Sequence, residues 1–162
     1  MSDVTVIDTD DRRIVRRAVV HAPVADVFAL VADPHRHHEI DGSGTVQDQI
    51  VGPHELEVGS RFSVGMRQTG VPYTITSTVT VYEEDRLLEW RHPFGHRWRW
   101  EFEQVGPAST RITETWDPTR TPFPLWLGLQ GVEDVPEERA RDQQNPAGLA
   151  GTLRLTRSAM LR

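Results

Sequence analysis

Between residues 45 and 117 the sequence consists of strand-like segments with no helical pattern between them, and this restricts the possible folds. Six segments rich in β-branched and aromatic residues are separated by short turn signals. They are residues 45–51, 60–68, 73–83, 86–92, 97–105 and 109–117. Two neighbouring strands that run parallel need a crossover of about a dozen residues or more, which is usually a helix. None of the connections between these segments shows a helical pattern. The pattern therefore predicts an antiparallel meander.

The residues before this region predict one more strand and two short helices. Residues 12–21 read as a strand, and residues 24–32 carry apolar residues at helical spacing after Pro23. Asp33 and Pro34 then end that helix and begin a second one that reaches about residue 40. Residues 1–11 are polar and predict a flexible N-terminus, whereas residues 12–162 predict a single domain.

The C-terminal part changes character and predicts helix. Residues 123–131 are apolar, and residues 147–161 carry a one-sided stripe formed by Leu149, Leu153, Thr156 and Met160. Asn145-Pro146 either begins a new helix or kinks a longer one. The fold class is therefore α+β, with a curved seven-stranded antiparallel sheet around a C-terminal helix. Such an arrangement leaves a gap between sheet and helix that suits a small ligand.

Composition excludes several classes of function. The 162 residues contain no cysteine and no lysine, which excludes thiolate, iron–sulfur, Schiff-base and P-loop lysine chemistry. A net charge of -6 argues against a nucleic-acid partner. No apolar stretch is long enough for a membrane span, and the first residues show no signal peptide. We therefore expect a cytoplasmic protein, either a monomer or a homodimer.

Strand periodicity predicts which side chains face the gap. Trp98, Trp100 and Phe102 alternate with charged residues, so the aromatic side chains are expected to point inward. Trp90 and Trp116 have the same inward parity in the neighbouring segments. The candidate ligand-contacting residues are Tyr73, Trp90, His92, Trp98, Trp100, Phe102, Glu114 and Trp116.

Two polar residues interrupt this apolar face, and each has an ordinary structural explanation beside a functional one. His92 falls at a strand end, where a partly solvated side chain is unremarkable. Glu114 lies between Ile112 and Trp116 and could mark a bulge or an ion pair with an arginine. Alternatively, His92 and Glu114 orient a ligand or transfer a proton, and they are then the candidate catalytic residues.

The histidine-rich segment 35–41 suggests a metal site only weakly. His37 or His38 with Asp41 has helical ligand spacing, but the sequence offers no second cluster. A solvated polar helix explains the segment better, so we expect neither a bound metal nor a cofactor. Nucleophile-elbow, P-loop and dinucleotide-binding motifs are also absent from the sequence.

The segment APVADVFALVADP at 22–34, after a β-branched strand, resembles the opening of the START-like or SRPBCC superfamily, which includes polyketide cyclases/dehydrases. HHEIDGSG (37–44), GVPYTITSTV (70–79), LLEWRH (87–92) and TRITETWD (110–117) are similar to an uncharacterised actinobacterial branch. The resemblance implies a helix-grip fold with a hydrophobic cavity that binds lipids, polyketides or other apolar molecules. It carries no shared catalytic motif, so it assigns no catalytic residue.

Three hypotheses follow for the function. The first is binding or transport of a small hydrophobic, lipid-, polyketide- or aromatic-like ligand in the internal cavity. The second is a polyketide cyclase or dehydratase that uses His92 or Glu114 as general acid/base. A structural or protein-interaction role is the third.

Overall fold

The computed structural model describes residues 5–8, 13–40, 46–68 and 70–121, which form an eight-stranded antiparallel sheet and short helices. In chain order the elements are β1 Thr5–Asp8, β2 Ile14–Val20, α1 Val24–Ala32, a 3₁₀ turn Pro34–Arg36, α2 His37–Ile40, β3 Val46–Val51, β4 Arg61–Gln68, β5 Val71–Glu83, β6 Leu87–Arg91, β7 Arg97–Gly106 and β8 Ser109–Asp117. The structure confirms two predictions made from the sequence: the α+β fold class and the two short helical segments after β2.

The sheet order combines a meander with one pairing between distant strands. Strands β3 to β8 follow one another as a meander, as predicted, and β2 then pairs with β8. All seven predicted strands form. An additional strand, β1, pairs with β2 at the edge of the sheet, with Ile7 opposite Val15. Thr5–Asp8 is thus an edge strand in the region expected to be a flexible N-terminus, and its backbone pairing with β2 explains why it is ordered as a strand.

Helix α1 is placed on the inner face of the sheet by its first turn and by one aromatic side chain. Pro23 precedes the helix and offers no side-chain cap, and the Val24 N–H instead donates to Oε1 of Gln104 on β7 at 2.9 Å. Phe28 then meets Phe102 edge-to-face, with ring centroids 5.2 Å apart. Helix α1 therefore covers the end of β7 where Phe102 lies.

A bulge in β5 changes which of its residues face the core. Val79 lies opposite Trp90, but the register shifts by one before Val81, and Tyr82 then lies opposite Leu88. Tyr82 packs on the core, although simple alternation from Val79 predicts that Val81 does so. Simple alternation fails here because a bulge adds one residue to a strand and reverses the parity of the residues that follow.

The outer face carries a charged network around one buried carboxylate. Glu89 accepts a hydrogen bond from Nη1 of Arg97 at 2.7 Å and another from Oγ1 of Thr80 at 2.8 Å. Nη1 of Arg99 lies 3.4 Å from the second carboxylate oxygen. This network joins β5, β6 and β7 on the side opposite the aromatic residues.

The expected C-terminal helix, with its stripe and the Asn145-Pro146 break, lies outside the described residues. Within the described ranges, no helix has the length and apolar character needed to cross a membrane.

Candidate functional site

The inner face is built of rows of side chains that lie opposite one another on β6, β7, β8 and β2. In the central row, Trp90 faces Trp98, and Trp98 faces Trp116. The next row towards α1 consists of Leu88, Trp100, Glu114 and Arg16. Directly opposite residues in antiparallel strands have Cβ atoms only about 5 Å apart. Each row is therefore a line of neighbouring side chains across the sheet.

The predicted aromatic residues all lie on this inner face. Trp90, Trp98, Trp100 and Phe102 are buried, and Trp116 is half-buried at the edge of the core. The ring centroids of Trp90 and Trp100 are 6.5 Å apart with nearly parallel planes. Stacked indole rings present a flat, rigid, apolar surface.

Glu114 is completely buried in the middle of this surface, with an exposed fraction of 0%. The register of β8 is regular through this position, so the bulge explanation was wrong. Its neighbour across the sheet is Arg16 on β2, which is also buried and was not among the predicted site residues. Alternation along 14–20 could have found Arg16, because it shares the inward parity of Ala18 and Val20.

The hairpin turn between β6 and β7 adds two histidines beyond the central tryptophan row. The His92 N–H donates to the carbonyl of His96 at 3.0 Å, and their rings stack with centroids 4.3 Å apart. The turn depends on Gly95, whose φ of +100° is one that L side chains rarely adopt. The His96 ring also lies 6.1 Å from that of Trp116. His92 is half-buried near this strand end, as its structural explanation expected.

His96 was missed by the sequence analysis, although it has the inward parity of Trp98 and Trp100. It is only 6% exposed, and burial lowers its pKa from 6.5 to about 4. The His96 imidazole is therefore neutral at physiological pH.

Two buried polar atoms on the inner face find no hydrogen-bond partner in the part of the chain that the structure describes. They are Nε1 of Trp100 and Nδ1 of His96. A buried indole N–H normally finds an acceptor, so the unused donor of Trp100 calls for an explanation.

Tyr73 shares the inner-face parity but lies apart from these groups. It pairs with Met66 near the start of β5, six residues before Val79. Six residues of strand correspond to roughly 20 Å, so β5 carries Tyr73 well past the tryptophan row. Its contact with a ligand stays a prediction.

The histidine-rich segment is not a fully solvated helix. His37 is buried, its Nε2 lies 2.8 Å from the carbonyl of Val31, and its ring stacks on Trp90 with centroids 5.3 Å apart. His37 is thus a core residue that packs on the aromatic face. Asp41, its suggested metal-ligand partner, lies outside the described residues.

A different group of side chains has metal-ligand geometry. Among the described residues, one ligand atom each from Asp33, His35 and His54 lie within 4.8 Å of one another. This group is at the surface, away from the aromatic rows, and sequence spacing alone could not reveal it because His54 comes from the β3–β4 connection.

Comparison with known proteins identifies the family. The family described as polyketide cyclase / dehydrase and lipid transport matches residues 11–143. The chain belongs to this family. The match spans strands β2 to β8, and it confirms the superfamily that the segment at 22–34 resembles.

Relatives of this chain include an uncharacterised protein, Rv0088, of Mycobacterium tuberculosis. It is 55% identical over 117 residues, which cover 72% of this chain and 52% of the relative. The chain thus spans about half the length of the curated relatives it matches.

Solved structures support the helix-grip fold. Protein Ms6760 from Mycobacterium smegmatis has a TM-score of 0.62 at 18% identity, with 97% of each chain covered. The Zhui aromatase/cyclase from Streptomyces sp. R1128 has a TM-score of 0.54 at 18% identity and covers 65% of this chain and 66% of its own. At this level of identity the similarity concerns the fold alone.

Proposed function

We propose that this protein binds a small, flat, hydrophobic ligand with one or two oxygen substituents on the inner face of the sheet. The observation that carries the proposal is that Trp100 Nε1 and His96 Nδ1, both within the aromatic face, find no hydrogen-bond partner among the described residues. Buried polar atoms cost free energy unless they find a partner. A ligand carbonyl or hydroxyl oxygen would supply that partner, and aromatic rings of the ligand would stack on the tryptophans.

The spacing of the polar groups favours an elongated ligand. His96 and Trp100 are four residues apart on β7, which corresponds to roughly 13 Å along the strand. Glu114 lies opposite Trp100, and His92 lies beside His96. Polar groups therefore lie on both sides of the central tryptophan row. This arrangement suits a polycyclic or polyketide-like molecule that is oxygenated at both ends.

The family description names both lipid transport and cyclase / dehydrase. The second candidate function is therefore cyclisation or dehydration of such a ligand. The observation in its favour is the presence of a buried carboxyl group and a buried neutral imidazole on one face. In a dehydration, one group removes a carbon-bound proton while another protonates the departing hydroxyl, which leaves as water. The buried carboxyl of Glu114 and the imidazole of His96 are separated by roughly 13 Å along the sheet. This distance argues against their acting on one reacting centre, so ligand binding is the better-supported function.

The change Glu114→Gln separates the two functions, because glutamine keeps the size of the side chain but cannot act as general acid/base. If Glu114 only contacts the ligand, the affinity should change by about tenfold or less, since a neutral hydrogen bond contributes on the order of 1 kcal/mol. If Glu114 transfers a proton, binding should persist while turnover falls by roughly a hundredfold or more.

The measurement is the affinity and turnover of both proteins with one aromatic polyketide ligand. Glu103→Gln is the matched control, because Glu103 lies exposed on the same sheet and faces outward. Intact affinity with abolished turnover would contradict the binding function and establish the enzyme.

A further inference from the structure

Three side chains from two connections converge at the surface, away from the aromatic face. Asp33 joins α1 to the 3₁₀ turn, and its Oδ1 accepts a hydrogen bond from the His35 backbone N–H at 2.9 Å. His54 approaches from the β3–β4 connection, with its Nδ1 at 3.0 Å and 3.2 Å from the two carboxylate oxygens of Asp33. The His35 and His54 rings stack with centroids 3.9 Å apart. The chain thus brings two imidazoles and one carboxylate together from positions up to 21 residues apart.

One separation between donor atoms is close to that of a tetrahedral metal site. With metal–ligand bonds of about 2.0–2.1 Å, tetrahedral geometry places ligand atoms about 3.3 Å apart. The 3.0 Å separation between His54 Nδ1 and Asp33 Oδ2 is near this value. All three ligand atoms lie within 4.8 Å of one another, and the His54 side chain is 71% exposed. His54 is thus the exposed member of the group, whereas Asp33 and His35 are half-buried.

A second observation concerns the other nitrogen of His35. Its Nε2 lies 2.9 Å from the carbonyl oxygen of Gly52. A carbonyl only accepts hydrogen bonds, so Nε2 carries the proton and Nδ1 of the neutral ring keeps its lone pair. Metal-bound histidines characteristically donate their second N–H to a carbonyl or carboxylate in this way, which fixes the ring and its tautomer.

We propose that Asp33, His35 and His54 form a Zn²⁺ site that fastens the connection after α1 to the β3–β4 connection. Two imidazole nitrogens and one carboxylate oxygen are a donor set that Zn²⁺ favours, and water completes the coordination. The metal replaces the proton between His54 Nδ1 and Asp33. From an imidazolium that proton leaves to solvent, and from a neutral ring it is exchanged to Nε2, so that Nδ1 can bind the metal. Zinc affinity therefore falls as the pH is lowered.

Isothermal titration of the untagged, chelator-stripped full chain with ZnCl₂ tests the site. We expect one ion per chain and an affinity at least tenfold weaker for His54→Ala. His21→Ala is the matched control, because His21 is also exposed but lies before α1, where it contacts Ser109. We expect the control to bind zinc like the wild type, and MgCl₂ to produce no binding, because Mg²⁺ prefers oxygen ligands.

Thermal unfolding gives a second readout that does not depend on ligand binding at the aromatic face. Zinc should raise the Tm of the wild type and of His21→Ala, but much less that of His54→Ala. No saturable zinc binding to the wild type would overturn the proposal. Equal binding by the wild type and His54→Ala would also overturn it, because the ion would then lie elsewhere.

Discussion

Lowering the pH should destabilise this protein through one buried histidine. Burial lowers the pKa of His96 in the folded protein to about 4, whereas its ordinary value, which the unfolded chain keeps, is 6.5. Above pH 6.5 both states are neutral at this position. Between pH 6.5 and pH 4 the unfolded chain binds a proton that the folded protein does not, so the free energy of unfolding falls as the pH falls. Each pH unit in that window costs about 1.4 kcal/mol.

The change His96→Phe isolates this contribution, because phenylalanine can stack on His92 but does not titrate. Between pH 7 and pH 5 the wild type should lose about 2 kcal/mol more than His96→Phe, since 1.5 units of that range lie below the ordinary pKa. The measurement is urea unfolding at several pH values, followed by tryptophan fluorescence. The titratable side chain stacked on His96 is His92. Because His92 is present in both proteins, the difference between their pH slopes reports on His96. Equal pH slopes for the two proteins would refute the reasoning.

Two further changes test the sheet that carries the site. Glu89→Ala leaves Arg97 without its buried carboxylate and should lower the free energy of unfolding, measured in urea, by about 2–4 kcal/mol. The change Glu103→Ala removes an exposed carboxylate and should lower it by less than about 1 kcal/mol. Similar losses for the two variants would contradict a stabilising role of the Glu89 network. Gly95→Ala should destabilise by about 1–3 kcal/mol and weaken ligand binding, because its φ is +100° and an added Cβ would lie 2.7 Å from a backbone carbonyl oxygen. Gly70→Ala has a similar φ of +84° but open space around the Cβ, so a loss as large as that of Gly95→Ala would contradict the steric part of the explanation.

The sequence predicted the sheet well because alternation is a local signal. Trp98, Trp100 and Phe102 alternate with charged residues over a whole strand, so their inward orientation follows from the period of two. The β5 bulge was not predictable in this way. Nothing in the local pattern shows where β5 gains one residue relative to β6, and this one residue brings Tyr82 rather than Val81 into the core.

The candidate site was predicted only where its residues lie within strands of clear pattern. Glu114 was found because it interrupts an apolar face, but Arg16 was missed, since charged residues in a strand are ordinarily assigned to the solvent side. His37 was assigned to a polar helix because its neighbours are polar, and only the packing on Trp90 shows that it is a core residue. The contact between His54 and Asp33 depends on the path of a loop, which no sequence period encodes.

Ligand binding at the aromatic face is the central claim, and tryptophan fluorescence tests it most directly. Four of the five tryptophans lie in the two inner-face rows, so the signal reports mainly on this surface. We expect flat, oxygenated aromatic molecules to change the fluorescence saturably at one molecule per chain, and Trp100→Phe to weaken the binding. No saturable response to any member of a broad aromatic and lipid panel would contradict the claim.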